Sequence, residues 1–166
     1  MAHEPRLMQS LRALLHARRT AALGTLLPAG SEGAALPFVS FVPYAVDVQT
    51  ATLVLHVSGL APHTRQMQQW PAVSLLISAP ELPGEPVHAL ERVTIAGHAR
   101  VLEPQDADSA RAAYLARFPE AAPMTALGDF HFVAITPLVA RHVAGFGAAR
   151  DVAPEELAAV LGSAGG

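Results

Sequence analysis

The sequence predicts a mainly β protein, an antiparallel barrel of about six strands with peripheral helices. Short apolar runs dominate the chain after its first helix. Most of them are joined by turns rich in Pro, Gly and Ser rather than by helices. The one long helical stretch between strands falls late, so the regular strand–helix alternation of a parallel sheet is missing.

Each element follows from local pattern. A first helix runs from about Pro5 to Arg18. Pro suits its first turn, and Leu7, Leu11, Leu14 and Leu15 form a stripe for docking on the sheet. Ala21 to Leu27 reads as a strand and residues 28–33 as a turn. Phe38 to Val46 is a second strand, interrupted by Pro43. Thr52 to Ser58 alternates: Leu53, Leu55 and Val57 share one face, while Thr52, Val54, His56 and Ser58 share a second, more polar one. A short helix from Pro62 to Gln69 precedes strand Val73 to Ser78, and residues 79–91 are a loop. Strand Arg92 to Leu102, helix Gln105 to Phe118 and strands Phe130 to Thr136 and Val139 to Val143 follow. Gly145-Phe146-Gly147 is a turn, lacking the strand–helix context of a dinucleotide fingerprint. Residues 1–150 are expected to form the barrel domain, and 151–166 a short C-terminal helix with a frayed tail.

Composition excludes several chemistries. With 166 residues and a hydrophobic fraction of 51%, the chain can bury a core of its own. Cysteine is absent, which removes thiolate nucleophiles, disulfides and cysteine-bound zinc or iron–sulfur clusters. All 11 basic residues are Arg, so Schiff-base chemistry and a phosphate-binding P-loop are excluded as well. A net charge of -3 and 15% charged residues leave no broad basic face for nucleic acid. No run is long and apolar enough for a membrane helix or a signal peptide, and the cytoplasm is the expected compartment. The histidines show no paired metal spacing and no G-x-S-x-G elbow is present, so neither a metal site nor a serine hydrolase is expected.

The stretch Val57-Ser58-Gly59-Leu60-Ala61-Pro62-His63-Thr64-Arg65 is the most informative. A strand ends in Ser-Gly and a short helix opens with Pro, leaving free N–H groups and a positive dipole end. His63, Thr64 and Arg65 add a donor, a hydroxyl and a fixed cation within one turn. This pattern suits a phosphomonoester where Lys is unavailable, and equally a capped surface helix.

The runs PFVSFVPYAVD, SGLAPHTRQMQQWPAVSLLI, ERVTIAGHARV, AAYLARFPEA, LGDFHFVAI and HVAGFGAAR occur in that order over most of the chain. Together they resemble the pyridoxamine 5′-phosphate oxidase-like FMN-binding split β-barrel family, nearest its short haem-utilisation-type branch. The resemblance implies a homodimer with FMN at the subunit interface. The flavin ring would lie along Ser40, Phe41 and Val42, and the phosphate on Val57, Ser58, His63, Thr64 and Arg65. Where the oxidase carries an Arg-Lys pair, this chain has Pro62 and His63, and the family's residues for a substrate phosphate have no match. The haem-utilisation branch binds haem through a His in a C-terminal extension, whereas no His follows His142 here. Arg92 and Asp129 match positions near the ligand of that branch, or else form an ordinary ion pair at a strand end. The resemblance therefore implies an FMN-dependent oxidoreductase with a small-molecule substrate. The alternative is a non-enzymatic binder of flavin, haem or another tetrapyrrole. It names no catalytic acid or base.

Overall fold

The structure is a computed structural model that describes residues 5–28 and 33–162. The expected turn at 28–33 and the expected frayed tail therefore lie largely outside the described residues. The chain forms α1 (Arg6–Ala17), β1 (Thr20–Leu27), β2 (Leu36–Pro43), β3 (Ala45–Asp47), β4 (Thr52–Ser58), α2 (Pro62–Gln69), β5 (Ala72–Ser78), β6 (Arg92–Val101), α3 (Asp108–Arg117), β7 (Phe130–Val143), β8 (Ala149–Val152) and α4 (Pro154–Leu161). A 3-10 segment, Pro119–Ala126, follows α3.

The strands make one antiparallel sheet in the order β2-β1-β5-β6-β7-β4-β3, with β8 also paired to β7. It has eight strands rather than about six. Pro43 ends one strand, and β3 resumes two residues later on a different partner. The predicted strands at 130–136 and 139–143 are a single strand, β7. The register steps from Gly97↔Pro137 to Ala96↔Val139, so Leu138 is bulged out. Only Gly fits opposite the bulge, because a Cβ on Gly97 would overlap the Thr136 carbonyl. The short β8 carries too little alternation to read as a strand from sequence.

The sheet is strongly curled and remains open. β2 and β3 are the two ends of the seven-strand path, yet only Tyr44 separates them in sequence. In a flat sheet those edges would lie about 29 Å apart, six inter-strand spacings. A one-residue link forces the edges together without a ladder between them. Tyr44 is fully buried there, with its N–H on the Arg19 carbonyl (3.0 Å) and its hydroxyl on the Leu15 carbonyl (2.7 Å). Burial raises the phenol pKa well above its ordinary value.

The concave side holds the main core, including Leu23, Leu55, Leu75, Ile95 and Ile135. α1 closes it with Leu11, Leu14 and Leu15, and α4 with Leu157, Val160 and Leu161. Leu7, expected on the docking stripe, is exposed instead. A second cluster lies on the convex side, where Val54 and Phe132 of the sheet meet Ala110 and Tyr114 of α3, with Phe118 just beyond its end. The supposedly polar face of β4 is thus half core, because α3 packs over it.

Candidate functional site

The end of β4 and the start of α2 form a tightly bonded turn. The Ser58 carbonyl accepts from Ala61 N–H (3.1 Å) and from the Thr64 hydroxyl (2.7 Å). Ser58 Oγ accepts from Leu60 N–H (3.2 Å) and donates to Asp129 Oδ2 (3.2 Å). Gly59 N–H donates to the Asp129 carbonyl at 2.5 Å. That close approach explains the glycine, since a Cβ there would stand 3.2 Å from the same carbonyl.

α2 is anchored by its inner face. Thr64, Gln66 and Met67 are buried, and Gln66 Oε1 accepts from Thr25 Oγ1 of β1 at 2.5 Å. Thr25 also lies 3.4 Å from the Phe38 carbonyl of β2, so one threonine ties α2 to the edge strand. The outer face of α2 then carries Pro62, Arg65 and Gln69. With Leu27, Pro28 and Leu60 they line a groove of about 430 Å³. Leu27, Pro28, Leu60 and Pro62 give it apolar walls, Gln66 and Gln69 add amides, and its cation is Arg65. His63 is half-buried, and burial lowers its pKa, which favours the neutral imidazole.

The predicted site residues divide accordingly. Ser58 and Thr64 are bonded to each other, but the Thr64 proton is engaged by the Ser58 carbonyl and Thr64 has no exposed surface. Val42 and Val57 belong to the core. Ser40 is half-buried opposite Leu23, whereas Phe41 points away from the core at 77% exposure. Arg65 is outward, in the groove. Arg92 and Asp129 do not form an ion pair: Arg92 sits opposite Val143 at one end of β7, and Asp129 precedes its other end. The Arg92 guanidinium bonds instead to the Leu90 carbonyl (2.9 Å).

Sequence reading missed an aromatic box beside this turn. The His56 ring lies 4.5 Å from Phe132, 5.0 Å from Phe130 and 5.6 Å from Tyr114. Arg111 stands over Phe132 at 5.3 Å. Burial, then Arg111 and His131, lowers the His56 pKa, and its Nδ1 is buried without a partner. The i, i+2 spacing of Phe130 and Phe132 was the available signal, since it places both rings on one face of the strand.

An open, curled antiparallel sheet with an edge strand and a helix turn framing an Arg-bearing groove defines a protein of the split-barrel class. Residues 8–159 match the CREG β-barrel family, and the chain belongs to that family, of the pyridoxamine 5′-phosphate oxidase-like split-barrel type. It is 38% identical over 109 residues to the chloroplastic non-canonical heme oxygenase HOZ of Arabidopsis thaliana, a match covering 66% of this chain and 32% of that protein. It is also similar to a heme binding protein from Mycobacterium smegmatis, with 30% identity, a TM-score of 0.79 and coverage of 95% of this chain and 62% of that one. The chain thus spans about a third and under two thirds of these two relatives. The heme storage protein HutZ from Vibrio cholerae shares the fold at 23% identity, a TM-score of 0.66 and coverage of 81% and 92%. No described helix is long and apolar enough to cross a membrane.

Proposed function

We propose that this protein binds haem or a closely related tetrapyrrole in the α2 groove, as a cytoplasmic homodimer. The observation that carries the reading is the groove itself. An apolar macrocycle with anionic side chains needs greasy walls and a cation at the rim, and Leu27, Leu60 and Arg65 supply both. His63, two residues before Arg65 and kept neutral by burial, lies on another face of α2 and does not line the groove, so this reading rests on the groove walls and on Arg65 and assigns no iron ligand. The names of the Arabidopsis and Mycobacterium relatives support it.

The dimer rests on the bare convex face beside the groove. Val39, Phe41, Leu76 and Val139 are exposed there at 66%, 77%, 42% and 61%. Small residues Ala22, Gly24, Ser74 and Ala96 lie between them in register. No described helix covers this half of the sheet, and contiguous apolar surface of this kind is the usual mark of an interface.

FMN-dependent oxidoreduction is the second reading, favoured by the Pro-initiated turn of α2 with Arg65 three residues further on. When bound, the flavin would supply the hydride or electron chemistry. Against it, one exposed guanidinium faces a phosphate dianion, because the Thr64 proton is engaged and Lys is absent.

Parallel absorbance titrations with haemin and FMN decide between the two. A saturable Soret shift at one haem per chain, weakened in Arg65→Ala, is expected. Saturable flavin binding with no Soret shift would install the FMN reading instead.

A further inference from the structure

Among the residues lining the α2 groove, Gln66 stands apart: its side chain is buried, whereas Arg65 and Gln69 are exposed. The two ends of its amide meet different fates. Oε1 accepts the Thr25 hydroxyl at 2.5 Å, a closer acceptor for that proton than the Phe38 carbonyl at 3.4 Å. This bond fixes the amide with its oxygen toward β1 and its nitrogen toward the groove. Nε2 meets no acceptor among the described residues, yet unlike His56 Nδ1 it is not sealed from solvent. Two N–H donors therefore stand unpaired and reachable at the base of a cleft with apolar walls, an arrangement that favours a ligand oxygen.

The rest of the lining narrows the choice of ligand. Arg65 supplies a cation at the rim for a carboxylate. Among the described residues no imidazole, thiolate, thioether or phenolate lines the groove, so its donor set does not match the usual ligands of haem iron. Protoporphyrin carries oxygen only on its carboxylate arms, and its closed ring would leave the donors at the base of the groove unmet. An open-chain tetrapyrrole carries a lactam carbonyl on each terminal ring as well.

We propose that Gln66 makes this groove selective for an open-chain, metal-free tetrapyrrole over the closed ring, an inference that rests on the tetrapyrrole reading of the groove. A terminal lactam carbonyl accepts from Gln66 Nε2, a carboxylate arm pairs with Arg65, and the pyrrole rings lie against Leu27 and Leu60. Gln66 thus sets the specificity, while Arg65 holds closed and open rings alike.

The test is a set of titrations of the full chain with biliverdin, biliverdin dimethyl ester and protoporphyrin IX. Binding is read by quenching of the single tryptophan, Trp70, which follows Gln69. Biliverdin should bind up to about tenfold more tightly than protoporphyrin, the effect of one hydrogen bond. Gln66→Met should remove that preference, weakening biliverdin and its ester by the same factor and leaving protoporphyrin unchanged. Arg65→Ala should show the complementary pattern, weakening biliverdin and protoporphyrin but not the ester. Because Gln66→Met also cuts the tie to β1, Thr25→Val is the second variant: it cuts the tie, keeps the donors and should keep the preference. Protoporphyrin binding as tight as biliverdin, equal losses for both in Gln66→Met, or a preference lost in Thr25→Val would each overturn the inference and leave the tetrapyrrole reading standing. No saturable binding of any of the three would remove both.

Discussion

Two rows of residues, one step apart on the same strands, meet opposite fates. Leu23, Leu75, Ile95 and Ala140 lie side by side across β1, β5, β6 and β7 and are buried on the concave side. The next row, Ala22, Leu76, Thr94 and Arg141, faces outward and ends on Phe41 of β2. Farther along the convex face, α3 covers Val54 and Phe132 as fully as the concave core is covered. Only the part beside β2 is left open. Apolar side chains thus serve as core where the chain's own helices reach them and stay exposed where they do not.

Substitutions across this pair of rows should separate the two roles. Ile95→Ala, on the concave row, should destabilise by about 2–5 kcal/mol in urea unfolding, as large-to-small changes in packed cores do. Leu76→Ala, on the adjacent convex row, should stay within about 0.5 kcal/mol when measured on the monomer. Comparable losses at both positions would mean that the convex row is already packed within one chain.

Phe41→Asp sharpens the same contrast. It places a charge on the most exposed of the four apolar residues of the proposed interface, outside the buried core. Light scattering should show a shift from dimer to monomer, with dimer affinity falling at least about 30-fold. Far-UV circular dichroism should be unchanged. A parent protein that is monomeric at micromolar concentration would remove the interface altogether.

At the rim of the open region, Arg65→Ala tests the second reading: if the groove takes FMN, its binding should weaken by about one to two powers of ten, the worth of a hydrogen bond to a charged group. Riboflavin, lacking the phosphate, should bind parent and variant alike. Fluorescence titration of both ligands distinguishes loss of an anion contact from damage to the groove, which would weaken both.

The smallest effect concerns the covered half of the convex face. His56 has a pKa lowered by burial, so the folded state binds its proton less readily than the unfolded chain. As pH falls below about 6.5, the unfolded imidazole gains a proton that the folded one resists, and stability declines. Above that pH both forms are neutral and the site contributes no slope. His16 and His63 are shifted the same way and add to the trend. His56→Phe suits the aromatic box and removes one proton from the balance. Its thermal midpoint should therefore fall less between pH 7 and pH 5.5 than the parent's; parallel losses would show that His56 titrates normally.

Local pattern was enough for elements whose signal lies within a few residues. α2 spans Pro62–Gln69 as its proline and flanking turn require, and β4 spans Thr52–Ser58 as its alternation requires. The division at Pro43 was only half visible: proline marks an interruption, but not that β2 and β3 join opposite edges of the sheet. Of the candidate site, the turn at Ser58 and the outward Arg65 were legible. The engagement of Thr64, the Thr25–Gln66 tie and the burial of Val42 were not, because each depends on which distant strand lies alongside.

The sequence by itself determined the mainly β class, the positions of α2 and β4, and the exclusion of thiol and amine chemistry, because residue type and short-range periodicity suffice for these. Tertiary structure decided that His56 sits in an aromatic box rather than on a polar face. It also decided that Arg92 and Asp129 stand at opposite ends of a strand, and that one part of the convex face is left bare. A period of two specifies which residues share a face, but not what covers that face. Coverage is settled by α3, β2 and the one-residue link at Tyr44, which act between segments far apart in the chain.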